Sequence, residues 1–192
     1  LVKICTWDRA GLFGKIAGSL SACGLNILGA QIFTRTDGLA LDTFFVNDAR
    51  TGGLAAPEQH EKFAALIEKI LTGEAVDLPA LIRRQMNSPL AYQAYAGERI
   101  GAQIYFDNEI SETRTLIEVE AEDHLGLLHA ISQTFAELGV DISAARVVTE
   151  RGAAIDSFYV SDEAGGKLLE PEKQAAVSRR LQAAISELQA PV

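Results

Sequence analysis

Two short segments carry the residue types best suited to holding a small polar ligand. Asp8-Arg9-Ala10-Gly11-Leu12-Phe13 and Asp123-His124-Leu125-Gly126-Leu127-Leu128 share the pattern Asp-x-x-Gly-Leu, and each runs into apolar residues at helical spacing. Each glycine therefore stands at a predicted helix N-terminus, where backbone N–H groups lack intrahelical partners and the positive end of the macrodipole gathers. A carboxylate is favoured there, and a residue without Cβ lets it come close. Asn26-Ile27 and Asp141-Ile142 open the next strand-like run in each case, and their side-chain oxygens can accept from an ammonium group. One pole for an anion and one for a cation describe a free α-amino acid. Blander readings stand beside this one. Asp8 and Asp123 can cap helices or turns, Gly11 and Gly126 can serve packing, and Asn26 and Asp141 can bond the local backbone.

Other chemistry finds little support. Gly11, Gly14 and Gly18 do not fit Gly-x-Gly-x-x-Gly, and no Gly-Lys-Ser/Thr phosphate loop is present. His124 and His129 lie five residues apart, off the shared face of a metal-binding helix, and His60 stands alone. No catalytic residue, metal site or cofactor is expected. Asp42 and Asp156 occupy matching places in two strand-like runs, and are expected to pair with arginines or cap the sheet rather than act as an acid/base pair. Cys5 and Cys23 fit no disulfide framework and are expected to be buried free thiols in a reducing cytoplasm.

The chain has 192 residues, 48% apolar and 22% charged, which excludes a disordered tail, a collagen-like repeat and a coiled coil. Its 17 Lys and Arg against 26 Asp and Glu leave a net charge of −9. That balance argues against nucleic acid and anionic membrane surfaces as partners. The apolar runs are strand-sized, too short for a membrane span. A strand-like run begins at Leu1 with no charged-then-apolar leader, so the chain is expected to be a cytoplasmic piece of something larger.

The elements that must position these loops repeat. Gly11 matches Gly126 at an offset of 115, as Gly24-Leu25-Asn26-Ile27 matches Gly139-Val140-Asp141-Ile142. After one residue is lost in a turn, Asp42-Thr43-Phe44-Phe45-Val46 matches Asp156-Ser157-Phe158-Tyr159-Val160, and Pro57 matches Pro171, at an offset of 114. Each unit reads as strand (residues 2–6, 116–121), helix from Leu12 or Leu127, strand (27–35, 142–149), strand (39–46, 153–160) and helix (58–71, 172–188). Asp37-Gly38 between two strand-like runs is a hairpin signal. The order is that of an α+β, ferredoxin-like βαββαβ unit with both helices on one face of an antiparallel sheet. Residues 1–75 form the first unit, with a fourth strand expected at 100–106. Residues 76–99 form a linker with a short helix at 78–85, and residues 113–192 form the second unit. Nothing after the second unit's last helix supplies its fourth strand. Two half-covered units in one chain are expected to pair side by side, or between chains as a homodimer.

These residues resemble a known family. Asp8 to Phe13, Gly24-Leu25-Asn26-Ile27, the run from Phe33 to Phe44, and Phe106-Asp107-Asn108-Glu109 leading into Leu116-Ile117-Glu118-Val119 resemble the tandem ACT region of bifunctional uridylyltransferase/uridylyl-removing enzymes. The resemblance covers nearly the whole chain. It implies a regulatory module that binds an amino acid, glutamine by association. It also implies upstream catalytic domains that add UMP to the PII signal protein or remove it, so the chain itself is expected to have no activity. The family loop reads Asp-Arg-Pro-Gly-Leu. Ala10 and Leu125 replace the proline, and His124 replaces the second arginine, so the first loop, with Arg9, Gly11 and Asn26, is the favoured site. Another ACT-bearing metabolic enzyme, or an interaction module without a ligand, is the alternative.

Overall fold

The structure, a computed structural model, describes residues 1–87, 101–150 and 152–189. The first unit runs β1 (Val2–Trp7), α1 (Leu12–Ala22), β2 (Leu25–Phe33), β3 (Leu39–Asp48) and α2 (Pro57–Leu71). After α3 (Leu78–Met86) and β4 (Gln103–Asp107) comes the second unit: β5 (Thr115–Glu122), α4 (Leu127–Glu137), β6 (Asp141–Glu150), β7 (Ala153–Ser161) and α5 (Pro171–Gln189). Pro57 and Pro171 open their helices, where a missing N–H and a fixed φ cost nothing.

The strands form one seven-stranded antiparallel sheet in the order β1-β3-β2-β6-β7-β5-β4. The two units join side by side, β2 to β6, with Ala30 opposite Val147 and Ile32 opposite Ala145. Period-two alternation sends Ala40, Asp42 and Phe44 of β3 to the helix-covered side, while Leu41 and Phe45 face outward. Four aromatic rings carry the core across the junction. Phe13 stacks on Phe44 of its own unit (6.1 Å), meets Phe158 of the other (6.2 Å), and Phe158 meets Phe135 (5.4 Å). Helices α1 and α4 approach closely because Gly14 and Gly18 bring no side chain. His129 Nδ1 lies 2.9 Å from the Gly14 carbonyl.

The fourth strand is not where the sequence reading put it. Segment 100–106, expected beside the first unit, is described from residue 101, and its strand pairs with β5, with Gln103 opposite Glu120 and Asp107 opposite Leu116. The physical reason is proximity: a short loop joins β4 to β5, and its side chains hold it shut. Asp107 Oδ1 accepts from the Glu109 N–H (2.7 Å), and the Thr115 hydroxyl donates to Asn108 Oδ1 (2.6 Å). The second unit thus takes its fourth strand from ahead of its first, and among the described residues the first unit has three. The short helix expected at 78–85 is α3, while residues 88–99 of the linker lie outside the described residues, as do Ala190, Pro191 and Val192. Cys23 is buried, but Cys5 is exposed, because alternation along the edge strand β1 turns it outward.

Candidate functional site

Both Asp-x-x-Gly loops close in the same way. Gly11 (φ 71°) and Gly126 (φ 91°) are the residues preceding α1 and α4, each in the left-handed region that disfavours other residues. No side chain caps either helix, so Asp8 and Asp123 are not caps. Instead each pins its loop to the neighbouring hairpin turn by its backbone: the Asp8 N–H donates to the Gly38 carbonyl (2.8 Å) and the Asp123 N–H to the Gly152 carbonyl (2.9 Å). The Leu12 N–H turns back to the Arg9 carbonyl (3.0 Å). The Arg9 guanidinium ties the loop to the end of α2 through the Leu71 carbonyl (2.8 Å).

The units meet crosswise. The first loop does not face Asn26. It faces the start of β6, and a cavity of about 220 Å³ opens between them, walled by residues 8–14 on one side and Asp141 and Ile142 on the other. Ile32, Thr34 and Asp42 complete it from the first unit, and Ser132 and Glu163 from the second. The reciprocal place, where the second loop faces Asn26 and Ile27, has about 10 Å³ of free space. There the Asn26 amide Nδ2 donates to Asp123 Oδ2 across 3.3 Å, with both residues buried. The sequence reading grouped Asn26 with Arg9 and Gly11, whereas the side-by-side junction of β2 and β6 carries each strand start to the other unit's loop. His124 and Leu127 line the shut place, while Leu125 turns into the core at 7% exposure.

The electrostatics of the open cavity centre on a residue the sequence reading set aside. Asp42 is 2% exposed, lines the cavity, and its Oδ1 has no hydrogen-bond partner. Burial pushes its carboxyl up to about 6, opposed by the Phe33 backbone N–H and reinforced by the Asp8 charge. Its counterpart Asp156 is 1% exposed with both oxygens unpartnered, and burial, then the charge of Asp123, raises it well above the ordinary carboxylate range. Burial also raises Asp123, against the Asn26 bond and the nearby His124. Neither strand aspartate is paired with an arginine among the described residues, which corrects that expectation. The signal was present in the sequence: a carboxylate at the same inward register of both repeats.

A larger cleft of about 460 Å³ lies among α3, α4 and α5, but of the loop residues only Gly126 touches it. No helix among the described residues is long and apolar enough to cross a membrane.

Duplicated βαββα units are joined edge to edge, with a glycine-led loop of each facing a strand start of the other. Residues 103–192 match the family described as ACR9-like, ACT-like domain, and the match begins at the first residue of β4, the strand that completes the second unit. Residues 103–192, the second unit with its fourth strand, thus match an ACT-like domain, and the repeat gives the first unit the same order of helices and strands. In sequence it is similar to the ACT region of bifunctional uridylyltransferase/uridylyl-removing enzymes. It is 36% identical over 187 residues to the one from Azospirillum brasilense, and 36% identical over 186 residues to the one from Rhodospirillum rubrum, each match covering 97% of this chain. The chain spans about a fifth (20%) of the length of these relatives. Aspartate kinase from Synechocystis shares the fold, with a TM-score of 0.50 at 14% identity over 97% of this chain and 27% of that one.

Proposed function

We propose that the chain is an amino-acid sensor whose ligand, glutamine, binds in the cavity between the first unit's Asp8–Gly11 loop and the start of β6. The observation that carries this reading is the open cavity itself, which joins an uncapped helix N-terminus on one wall to a strand-initial carboxylate on the other. The ligand carboxylate sits at the first turn of α1, on the N–H groups near Gly11 and Phe13, with the Leu12 N–H already held by the Arg9 carbonyl, and the helix dipole favours an anion there. The ammonium sits at Asp141. Because one wall belongs to each unit, occupancy selects one arrangement of the two, and that arrangement favours deuridylylation over uridylylation of PII in upstream catalytic domains of a cytoplasmic parent enzyme. The coupling required is modest, roughly 1–3 kcal/mol. The chain itself needs no cofactor and carries no catalytic residue in this reading. The similarity along 97% of the chain to uridylyltransferase/uridylyl-removing enzymes supports this choice over a regulator of another metabolic enzyme.

A thermal-shift series with the twenty free amino acids, followed by calorimetry, tests the reading. Glutamine at about 100 times its dissociation constant is expected to stabilise the chain by roughly 2.7 kcal/mol. A flat response to all twenty removes the sensor function, and a stronger response to another amino acid moves the chain to a different regulator.

A second reading rests on the uncovered face of the sheet. Trp7, Phe33, Phe45 and Ile155 are 64%, 56%, 49% and 44% exposed, more apolar surface than a solitary sheet face usually shows. This supports contact with a second copy, with the catalytic domains or with PII, and a titration with PII in the presence and absence of glutamine separates it from ligand sensing.

A further inference from the structure

We propose that Asp42 is the specificity-determining residue of the inter-unit cavity: its free Oδ1 accepts an N–H from the far end of the ligand's side chain, so the site takes an amino acid ending in an amide or ammonium group and rejects one ending in a carboxylate. The proposal rests on the amino-acid reading above and adds to it a residue outside the Asp-x-x-Gly pattern.

A buried polar atom without a partner is uncommon and costly; Asp42 Oδ1 is such an atom, and Asp42 belongs to the lining of an open cavity rather than to a sealed core. The inward register of β3 fixes its direction, since Ala40 and Phe44 on the same face are 2% and 0% exposed. The charges around it are one-sided. Asp8 faces it from the β1–α1 loop, Asp141 from β6, and Glu163 from the loop after β7. Helices α1 and α4 contribute Phe13, Gly14, Ser132 and Ala136, and β2 contributes Ile32, none of them charged. Among the described residues lining the cavity, the only cation is Arg9, and its guanidinium already bonds the Leu71 carbonyl. A second carboxylate on the ligand would enter among Asp8, Asp42, Asp141 and Glu163, with only the Thr34 hydroxyl and the remaining Arg9 N–H groups among the lining side chains to offset that repulsion. A site built to receive an N–H discriminates strongly against an isostere that lacks it.

Burial, with the Asp8 charge nearby, also pushes the Asp42 carboxyl up to about 6. Below that pH the protonated carboxyl becomes a donor, and the reason to exclude a carboxylate disappears.

Calorimetry of the chain with glutamine and with glutamate, at pH 7.5 and pH 5.5, tests this on the wild type and on Asp42→Asn. The wild type is expected to prefer glutamine by about tenfold or more at pH 7.5, the scale of one hydrogen bond to a charged group, and to lose much of that preference at pH 5.5. Asp42→Asn, whose amide can donate, is expected to narrow the preference at both pH values and to abolish its pH dependence. An unchanged glutamine-to-glutamate ratio in Asp42→Asn overturns the assignment, as does a wild type that binds both equally at pH 7.5; in either case amino-acid binding itself stands. A wild type that binds neither removes the sensor reading and this one with it. The wild-type pH series decides the matter even where the variant folds poorly, because a purely structural Asp42 would shift the melting temperature and leave selectivity untouched.

Discussion

The Asn26 amide of the first unit donates to the Asp123 carboxylate of the second, across 3.3 Å, in a place both side chains bury. Asp141 holds the position in the second unit that Asn26 holds in the first, and it shares the opposite cavity with Asp8. An amide meets a carboxylate as donor to acceptor, whereas two carboxylates bring only acceptors. That difference accounts for one reciprocal place being shut and the other open.

Replacing Asn26 by alanine leaves Asp123 buried without its donor. Asn26→Ala is expected to destabilise the chain by about 1–3 kcal/mol and to loosen the shut place. Denaturant unfolding measures it, and an unchanged midpoint would show that the bond contributes nothing.

Asp42 makes stability depend on pH in a definite direction. Its folded value, about 6, lies above the ordinary 3.8, so the folded chain holds a proton that the unfolded chain releases. Stability from this group is full below pH 3.8 and is lost as pH rises through about 6, by roughly 2–3 kcal/mol at the most. The free energy of unfolding, measured from pH 4 to 7, should fall with pH in the wild type and fall less in Asp42→Asn. Parallel curves would contradict it.

The two loop glycines should respond unequally to alanine. At Gly11 an added Cβ meets nothing within 4 Å, leaving only the left-handed backbone to resist it, at about 1–2 kcal/mol. At Gly126 the same Cβ would stand 2.9 Å from Ile82 Cγ2, so Gly126→Ala is expected to unfold at a lower temperature than Gly11→Ala. Ligand affinity should drop in Gly11→Ala, whose loop carries the proposed anion contacts. Equal melting points would refute the packing argument.

Gly18 sits where α1 crosses α4, and a Cβ there would lie 2.6 Å from His129 Nδ1 and 3.0 Å from Leu78 Cδ1. Alanine normally favours a helix over glycine by about 1 kcal/mol. Here crowding is expected to reverse the sign, with a net loss of roughly 1–3 kcal/mol. A stabilised Gly18→Ala in denaturant would show that the helices can part freely.

The repeat made the units legible, because Gly11, Gly24 and Phe44 recur at fixed offsets with the strand and helix periods between them. It also pointed to the loops and strand starts that wall the cavity. It did not show which loop meets which strand, since that depends on β2 pairing with β6, a contact between distant residues with no local signal. The destination of residues 103–107 escaped for a related reason: a five-residue alternating strand suits either unit, and the Asn108–Thr115 bond that holds it beside β5 is invisible in composition. Asp42 stands out in the sequence as a repeated carboxylate, but its missing partner is a property of three dimensions.

Because β4 precedes β5, the carboxy-terminal half has four strands of its own, while among the described residues the amino-terminal half has three, with β1 at its rim, and leans on β6 for its inner neighbour. Solvent exchange of backbone amides should therefore be slowest in β5 and β7 and fastest along β1, with the amino-terminal half opening first. A molecule seated between the halves acts as a clasp on the less self-reliant one, which turns a small binding event into a change in how much of the chain holds its shape.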